Sequence, residues 1–333
     1  MFGIKFGKSK KALVLMYHRV NTYNSDVWQL AVHPDVFAEQ LSILSGYNVI
    51  SMRALANGIA TKKLPSGSIA ITFDDACEDN YTKAAPLLLK HGLPATFFVT
   101  NITASVNREF WWNELEYLLI EHNTLPREVC ITEDNITYQW DLQDNWKKII
   151  NEELVESLAS WLPWSQPPTA SHALFVYLSE WMKSLSYQSQ LSVLAQLYMQ
   201  AGQTPKVRDE YKVMSEEQLK VLGMQQNIEI GGHSAFHSAL GKFAGDQQLS
   251  AIMENKRFLE QTTGNIVNGY GYAHGSYNET SRNILRENGF LYACTTEENC
   301  VTEKSDPFAL PRMHVKNVNG AEFKKQLKKW FAI

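Results

Sequence analysis

Ser68-Ile69-Ala70-Ile71-Thr72-Phe73-Asp74-Asp75 is the stretch on which the reading of this chain turns. Its first six residues are mostly apolar and β-branched, which predicts a short buried strand. Two carboxylates at the C-terminal end of such a strand predict an α/β protein, whose chemistry sits on the lip where the strands end. An Asp-Asp pair by itself is more often a helix cap or a turn. A second strand-like stretch changes the balance: Ile228-Glu229-Ile230-Gly231-Gly232 runs into His233-Ser234-Ala235-Phe236-His237. Two imidazoles at i and i+4 can converge on one ion, although such a pair alone is more often part of a solvated loop. One aspartate with both histidines makes three protein ligands and leaves a position open, the pattern of a catalytic divalent site. The other aspartate is then free to act as a base.

The same residues carry a family resemblance. Thr72-Phe73-Asp74-Asp75 and Gly232-His233-Ser234-Ala235-Phe236-His237 resemble the T-F-D-D and G-H-[ST]-x-x-H signatures of polysaccharide deacetylases of the NodB-homology type. Leu15-Met16-Tyr17-His18-Arg19-Val20, Pro94-Ala95-Thr96-Phe97-Phe98-Val99 and the aromatic loop Tyr270-Gly271-Tyr272-Ala273-His274-Gly275 match in the same order. The resemblance covers residues 10–100 and 213–318. It implies a distorted (β/α) barrel and the metal-dependent removal of an acyl group from an amino sugar.

Carried over residue by residue, the resemblance makes Asp75, His233 and His237 the ligands of a divalent ion, zinc first, with nickel or cobalt as alternatives. Asp74 becomes the general base. Two histidines compete for the general acid: His18, in the first strand, and His314, which closes Leu310-Pro311-Arg312-Met313-His314. His18 is favoured because Tyr17-His18-Arg19-Val20 is the tighter match. Tyr272 and His274 are expected to contact substrate, His274 alternatively being structural. Relatives often carry an arginine in the aromatic loop that pairs with the catalytic aspartate. Residues 270–277 contain none, and Arg312 is expected to take its place.

Composition fits a globular enzyme. The 333 residues are 44% hydrophobic and 20% charged, enough for a full core and long for one compact domain. A net charge of -4 provides no basic excess to neutralise phosphates, so a nucleic-acid partner is not expected; a carbohydrate substrate is what the family resemblance implies. The apolar run Ala12-Leu13-Val14-Leu15-Met16-Tyr17 is too short to span a membrane, lacks a small-residue cleavage site and is read as the first barrel strand. With four scattered cysteines read as free thiols, a cytoplasmic location is expected.

Strands and helices alternate to about residue 100, with helices expected at 34–45 and 79–91. Residues 101–212 hold seven of the nine tryptophans and break the rhythm; they are expected to form a helical, Trp-rich insertion, with helices at 146–162 and 174–197. Residues 10–100 and 213–333 would then be the two parts of the barrel, the second resuming at a capping box, Ser215-Glu216-Glu217-Gln218. Later helices are expected at 246–263, 279–288 and 321–331. The last has apolar residues on one face and lysines opposite; docking on the barrel is favoured over peripheral contact with an anionic membrane.

Three functions remain open on these grounds: a glycan deacetylase, a related amidohydrolase acting on a non-sugar amide or another acyl group, and a non-catalytic glycan-binding protein. The third is expected to have lost Asp74 or a metal ligand, and this chain retains them all.

Overall fold

In the computed structural model, which describes residues 10–23, 25–102, 106–122, 124–142 and 161–332, the strands fall in the order β1 (Lys11–Tyr17), β2 (Arg19–Val20), β3 (Ala31–Val32), β4 (Asn48–Val49), β5 (Ser68–Phe73), β6 (Ala95–Val99), β7 (Glu128–Glu133), β8 (Ile136–Asp141), β9 (Ile228–Gly232), β10 (Gly269–Gly271), β11 (Tyr292–Cys294), β12 (Val301–Thr302) and β13 (Met313–His314). The chain divides into two compact units. One comprises Met1–Thr22, Ala31–Thr103 and Met214–Ile333; the other comprises Tyr23–Leu30 and Ala104–Val213.

The first unit is built on one curled sheet in the order β11-β10-β9-β6-β5-β1-β12, with β13 added to β1 and β4 to β5. Neighbours from β1 through β5, β6, β9 and β10 to β11 are parallel. The segment after β12 spans from β11 back to β1: Leu310 bridges Cys294, and Met313 and His314 pair with Leu15 and Met16. The result is the distorted (β/α) barrel expected from the sequence.

β1 shows why these strands read as continuous apolar runs. Its Leu13, Leu15 and Tyr17 pack with Phe37, Leu41 and Leu327 of flanking helices, whereas Ala12 and Val14 pack with Phe98, Cys294 and Leu310. A parallel strand buried on both faces has no polar side to show. Phe73 of β5 stacks on Tyr17 and Phe97 of the neighbouring strands, at ring-centroid distances of 5.3 and 4.7 Å.

Helices fill the connections. Pro34–Leu44, Gly245–Thr263 and Glu279–Glu287 follow the expected periodicity, and Glu216–Gly223 starts at the Ser215 capping box. The segment expected as a helix at 79–91 is instead a π-helical turn, Asn80–Ala84, followed by the helix Ala85–Lys90. Pro86, in the first turn of that helix, has no N–H for the carbonyl four residues back, and a widened turn accommodates the missing bond. The last helix, Gly320–Ala332, buries Phe323, Leu327 and Trp330 in the barrel's main core. All four cysteines are free thiols. Among the described residues no helix is long and apolar enough to cross a membrane.

The second unit contains the helices Trp111–Glu116, Ala170–Met182 and Tyr187–Ala201, together with an antiparallel hairpin of β7 and β8. The hairpin adds two strands to the helices expected of the insertion. Its turn places Asp134 and Asn135 at φ of 49° and 63°, the left-handed conformation that these two side chains tolerate. The expected helix at 146–162 lies, apart from its last two residues, outside the described residues. The run expected at 174–197 is two helices, the second opened by Ser186, whose side chain accepts from the Ser189 N–H.

Candidate active site

Strand register puts the candidate residues on one rim. Tyr17 lies opposite Phe73, Phe73 opposite Phe97, Val99 opposite Gly232, and Gly232 opposite Tyr270. His18, Asp74 and His233 each follow the last residue of their strand, so they leave the sheet on the same side. Asp75 sits at a tight turn, with its φ at 81° and the Ala76 N–H donating to the Asp74 carbonyl at 3.2 Å. A γ-turn with positive φ is rare and costs about 1–3 kcal/mol, which is tolerated where the surroundings fix it.

Asp74 is buried, and Arg312, fully buried, forks onto it: Nη1 donates to Oδ1 and Nη2 to Oδ2, both at 2.7 Å. The guanidinium is held from behind. Its Nε donates to the Thr295 carbonyl at 2.8 Å, and Nη1 also reaches Thr72 Oγ1 at 3.2 Å. Burial by itself would raise the Asp74 pKa, but the Arg312 charge and hydrogen bonds, with His233 and His18, together carry it below the usual carboxylate value. Each carboxylate oxygen has two lone pairs, so the fork leaves one on each free for another proton.

Asp75, His233 and His237 are all buried, and their donor atoms lie within 4.8 Å of one another. Asp75 Oδ1 is 3.4 Å from His233 Nε2 and 3.1 Å from His237 Nε2. His233 Nδ1 lies 2.7 Å from the Gly271 carbonyl, an atom that only accepts, so Nδ1 carries the hydrogen. In the neutral ring the Nε2 lone pair then faces a carboxylate oxygen, a repulsive arrangement unless a cation lies between them. Burial alone would lower the His233 pKa; the two aspartates and the Gly271 carbonyl outweigh it and raise it, so positive charge is favoured there. Burial also opposes ionisation of Asp75, and the two histidines hold it well below the usual carboxylate range. This donor set fits a divalent ion, with imidazole and carboxylate ligands and an outer carbonyl fixing one tautomer.

Backbone contacts fix these ligands in place. The His233 N–H donates to Asn255 Oδ1 at 2.8 Å, and Asn255 Nδ2 donates to the Val99 carbonyl and to Asn101 Oδ1 at 2.9 and 2.8 Å. Gly271 is required by close approach, since a Cβ there would sit 2.8 Å from the Phe98 ring and 3.1 Å from His233 Nδ1. Ser234 Oγ accepts from the Ser238 N–H at 2.6 Å, closing the loop that presents His237. Sequence reasoning missed Asn255; a single asparagine inside the polar helix Gly245–Thr263 carries no signal of its long-range contacts.

The remaining candidates divide by position. His18 Nε2 is 3.9 Å from Asp74 Oδ2, and burial lowers its pKa against the pull of Asp75 and Asp74. His314 packs edge-on against His18, with centroids 5.6 Å apart, and burial pushes its pKa down to about 3. His274, at a φ of 56°, sets its ring edge against His237 at 4.3 Å. Tyr272 is completely buried, its hydroxyl donating to the Phe308 carbonyl at 2.9 Å and its ring stacked on Tyr277. It exposes no surface, so the structure gives it a packing place where a substrate contact was expected.

With the site assembled, comparison with known proteins identifies its class. The polysaccharide deacetylase profile matches residues 61–129 and 183–293, more than half of the chain, and the chain belongs to that family. The match includes Asp74, Asp75, His233 and His237 and leaves out His18, Arg312 and His314. YxkH of Bacillus subtilis, whose name places it among polysaccharide deacetylases, is 35% identical over 99 residues, 29% of this chain and 34% of its own length. A poly-beta-1,6-N-acetyl-D-glucosamine N-deacetylase of Staphylococcus aureus is 29% identical over 120 residues, 32% of this chain and 41% of its own. The chain thus spans less than half the length of these curated relatives. Two solved structures share the fold along nearly the whole chain. The deacetylase PplD of Streptococcus pyogenes, in complex with acetate, has a TM-score of 0.58 at 17% identity and covers 96% of this chain and 99% of its own. IcaB from Ammonifex degensii has a TM-score of 0.56 at 16% identity and covers 97% and 98%.

Proposed function

We propose that this protein hydrolyses the N-acetyl group of amino-sugar units in a polysaccharide or glycan precursor, using a divalent ion held by Asp75, His233 and His237. The observation that carries the reading is the Arg312–Asp74 fork beside that three-donor cluster, on one rim of the barrel. The relative from Staphylococcus aureus, named for an N-acetylglucosamine polymer, supports the substrate class.

An amide is a poor electrophile and its amine a poor leaving group, so hydrolysis needs an activated water, stabilisation of charge on the acyl oxygen and a proton donor. A bound divalent ion, zinc first with nickel or cobalt as alternatives, supplies Lewis acidity at that oxygen. Asp74, kept ionised by Arg312, takes a proton from the attacking water, whose oxygen bonds to the acyl carbon. As the carbon–nitrogen bond breaks, protonated His18 gives its proton to the departing nitrogen. The products are acetate and a free amine.

Acetate release from β-1,6- and β-1,4-linked N-acetylglucosamine oligomers tests this reading. Release from either supports it; release from neither, with metal supplied, would leave the chain without the proposed activity. We also propose a cytoplasmic location, supported by four cysteines that remain free thiols. Recovery of the protein from the medium of growing cells would argue against it.

A further inference from the structure

His18 lies between β1 and β2, in neither strand, and the segment that follows β5 grips the backbone on both sides of it. The Asp74 N–H donates to the Tyr17 carbonyl at 3.1 Å, Asn80 Nδ2 donates to the His18 carbonyl at 2.7 Å, and the Val20 N–H donates to Asp79 Oδ1 at 3.0 Å. Asn80 Nδ2 also donates to Asp79 Oδ1, at 3.0 Å, and Arg19 Nε lies 3.8 Å from Asp79 Oδ2. A carbonyl and a carboxylate only accept, so the Asn80 atom between them is the amide nitrogen. Asn80 is completely buried, and Asp79 is buried beside it. Helix capping, the usual task of such residues at the start of a helix, is not what Asp79 does, since its side chain makes no capping hydrogen bond. Asn80 opens the π-helical turn, where the Ala85 N–H reaches back to the Asn80 carbonyl, and widened turns of this kind are frequent at functional sites.

We propose that Asn80, seated by Asp79, is a positioning residue for the general acid: it fixes the backbone of His18, and with it the place from which the proton is given. The proposal rests on the reading of this protein as an N-acetyl hydrolase with His18 as the donor. The imidazole itself is held by no side-chain hydrogen bond that could do this. Its Nε2 stands 3.9 Å from Asp74 Oδ2, beyond hydrogen-bond distance, and its buried Nδ1 has no hydrogen-bond partner among the described residues. The ring therefore takes its place from its backbone and from its packing against His314. One short segment, residues 74–80, carries the base and grips the acid, so the distance between them is set by Asn80 and by the Asp74 N–H. A displacement of about 1 Å at a reacting group can cost about 10²-fold in rate.

The test is a double-mutant cycle in the zinc-loaded full chain, read as acetate release from an N-acetylglucosamine oligomer. Asn80→Ala is expected to lower kcat about 10–100-fold and to leave KM and zinc content at the wild-type level, because its contacts are to His18 and Asp79. In a His18→Ala background the same substitution is expected to cost little, since the group it positions is gone. A residue that only supports the fold would cost the same in both backgrounds. A second comparison uses 4-nitrophenyl acetate. There Asp74 takes the water's proton, the carbon–oxygen bond breaks, and 4-nitrophenolate leaves without a proton, so His18 is not needed and the loss in Asn80→Ala is expected to be much smaller than on the amide. Where His18→Ala falls below detection, this comparison decides. Should Asn80→Ala fail to fold by near-ultraviolet circular dichroism, Asn80→Asp takes its place, since it conserves volume and turns an acceptor toward the His18 carbonyl. Wild-type kcat on the oligomer in the folded variant would overturn the assignment, as would an equal loss with and without His18, or an equal loss on amide and ester. Those results, with an active wild type, remove the positioning role alone; a wild type that releases acetate from no oligomer removes the hydrolase reading and the positioning role with it.

Discussion

Arg312 and Asp74, 238 residues apart in sequence, are joined by two parallel hydrogen bonds of 2.7 Å at the rim of the barrel, where neither side chain is open to water. A fork of this kind fixes the carboxylate plane as well as its charge. Arg312→Lys keeps the cation and loses the planar fork, so it is expected to lower kcat while metal content stays at the wild-type level. Arg312→Ala is expected to go further and to lose about 3–5 kcal/mol of stability, because it strands a buried carboxylate. Wild-type kcat in Arg312→Lys would show that charge alone suffices at this position.

His18 is expected to matter more than His314. With its pKa pushed down to about 3, His314 carries no proton to give at neutral pH, and its ring packs edge-on against His18. The descending alkaline limb of the kcat/KM profile follows loss of the essential acid's proton. Because burial lowers the His18 pKa, that limb should begin at lower pH than an exposed imidazole would give. His18→Ala is expected to remove the limb along with most turnover, and His314→Ala to preserve it. The reverse ranking would transfer the donor role to His314.

Asn255 is expected to act on metal affinity through His233. It accepts from the His233 N–H and ties that backbone to Val99 and Asn101, so Asn255→Ala should let the imidazole drift. Groups that orient ligands commonly contribute about 10–100-fold in affinity, and a loss of that size is expected in a zinc-competition titration. An unchanged zinc affinity would show that Gly271 and the loop hold His233 without it.

Glu116 gives the second unit a pH signature of its own. Burial pushes its pKa up to about 7 from the ordinary glutamate value of 4.5, despite a hydrogen bond from Ser25. A carboxyl whose folded pKa is raised is at no disadvantage below about 4.5; its penalty grows through the interval to about 7 and is complete above it. Glu116→Gln is therefore expected to stabilise the protein at pH 8, by up to about 3 kcal/mol, and to change little at pH 4. Thermal melts at the two pH values check this, and equal shifts at both would remove the titration argument.

The parts of fold and site legible in the sequence are those written in contiguous residues. The strand ending at Asp74-Asp75 and the i, i+4 histidines could be read because β-branched runs and short spacings are local signals. Most barrel helices are legible for the same reason, down to the Ser215 capping box, but the helix Met52–Ala60 is not among those expected. What escaped depends on contacts between distant segments or on backbone geometry. The His233 tautomer is set by a carbonyl 38 residues away. The burial of Tyr272 depends on the Phe308 carbonyl, which no pattern around residue 272 announces. The β7–β8 hairpin does have a signal, since Val129-Cys130-Ile131 and Ile136-Thr137-Tyr138 flank an Asp-Asn turn, but the helical periodicity of 146–162 and 174–197 dominates the region.

The most direct measurement combines metal content with acetate release from an N-acetylglucosamine oligomer, made on wild-type protein stripped by chelator, on the same protein returned to stoichiometric zinc, and on zinc-loaded Asp74→Asn. The expected result is no release from the stripped protein and recovery on reloading. Asp74→Asn should retain its metal and lose about 10²–10⁴-fold in turnover, because an amide cannot take the water's proton. Undiminished release from stripped protein, or near-normal turnover in zinc-loaded Asp74→Asn, would contradict the account.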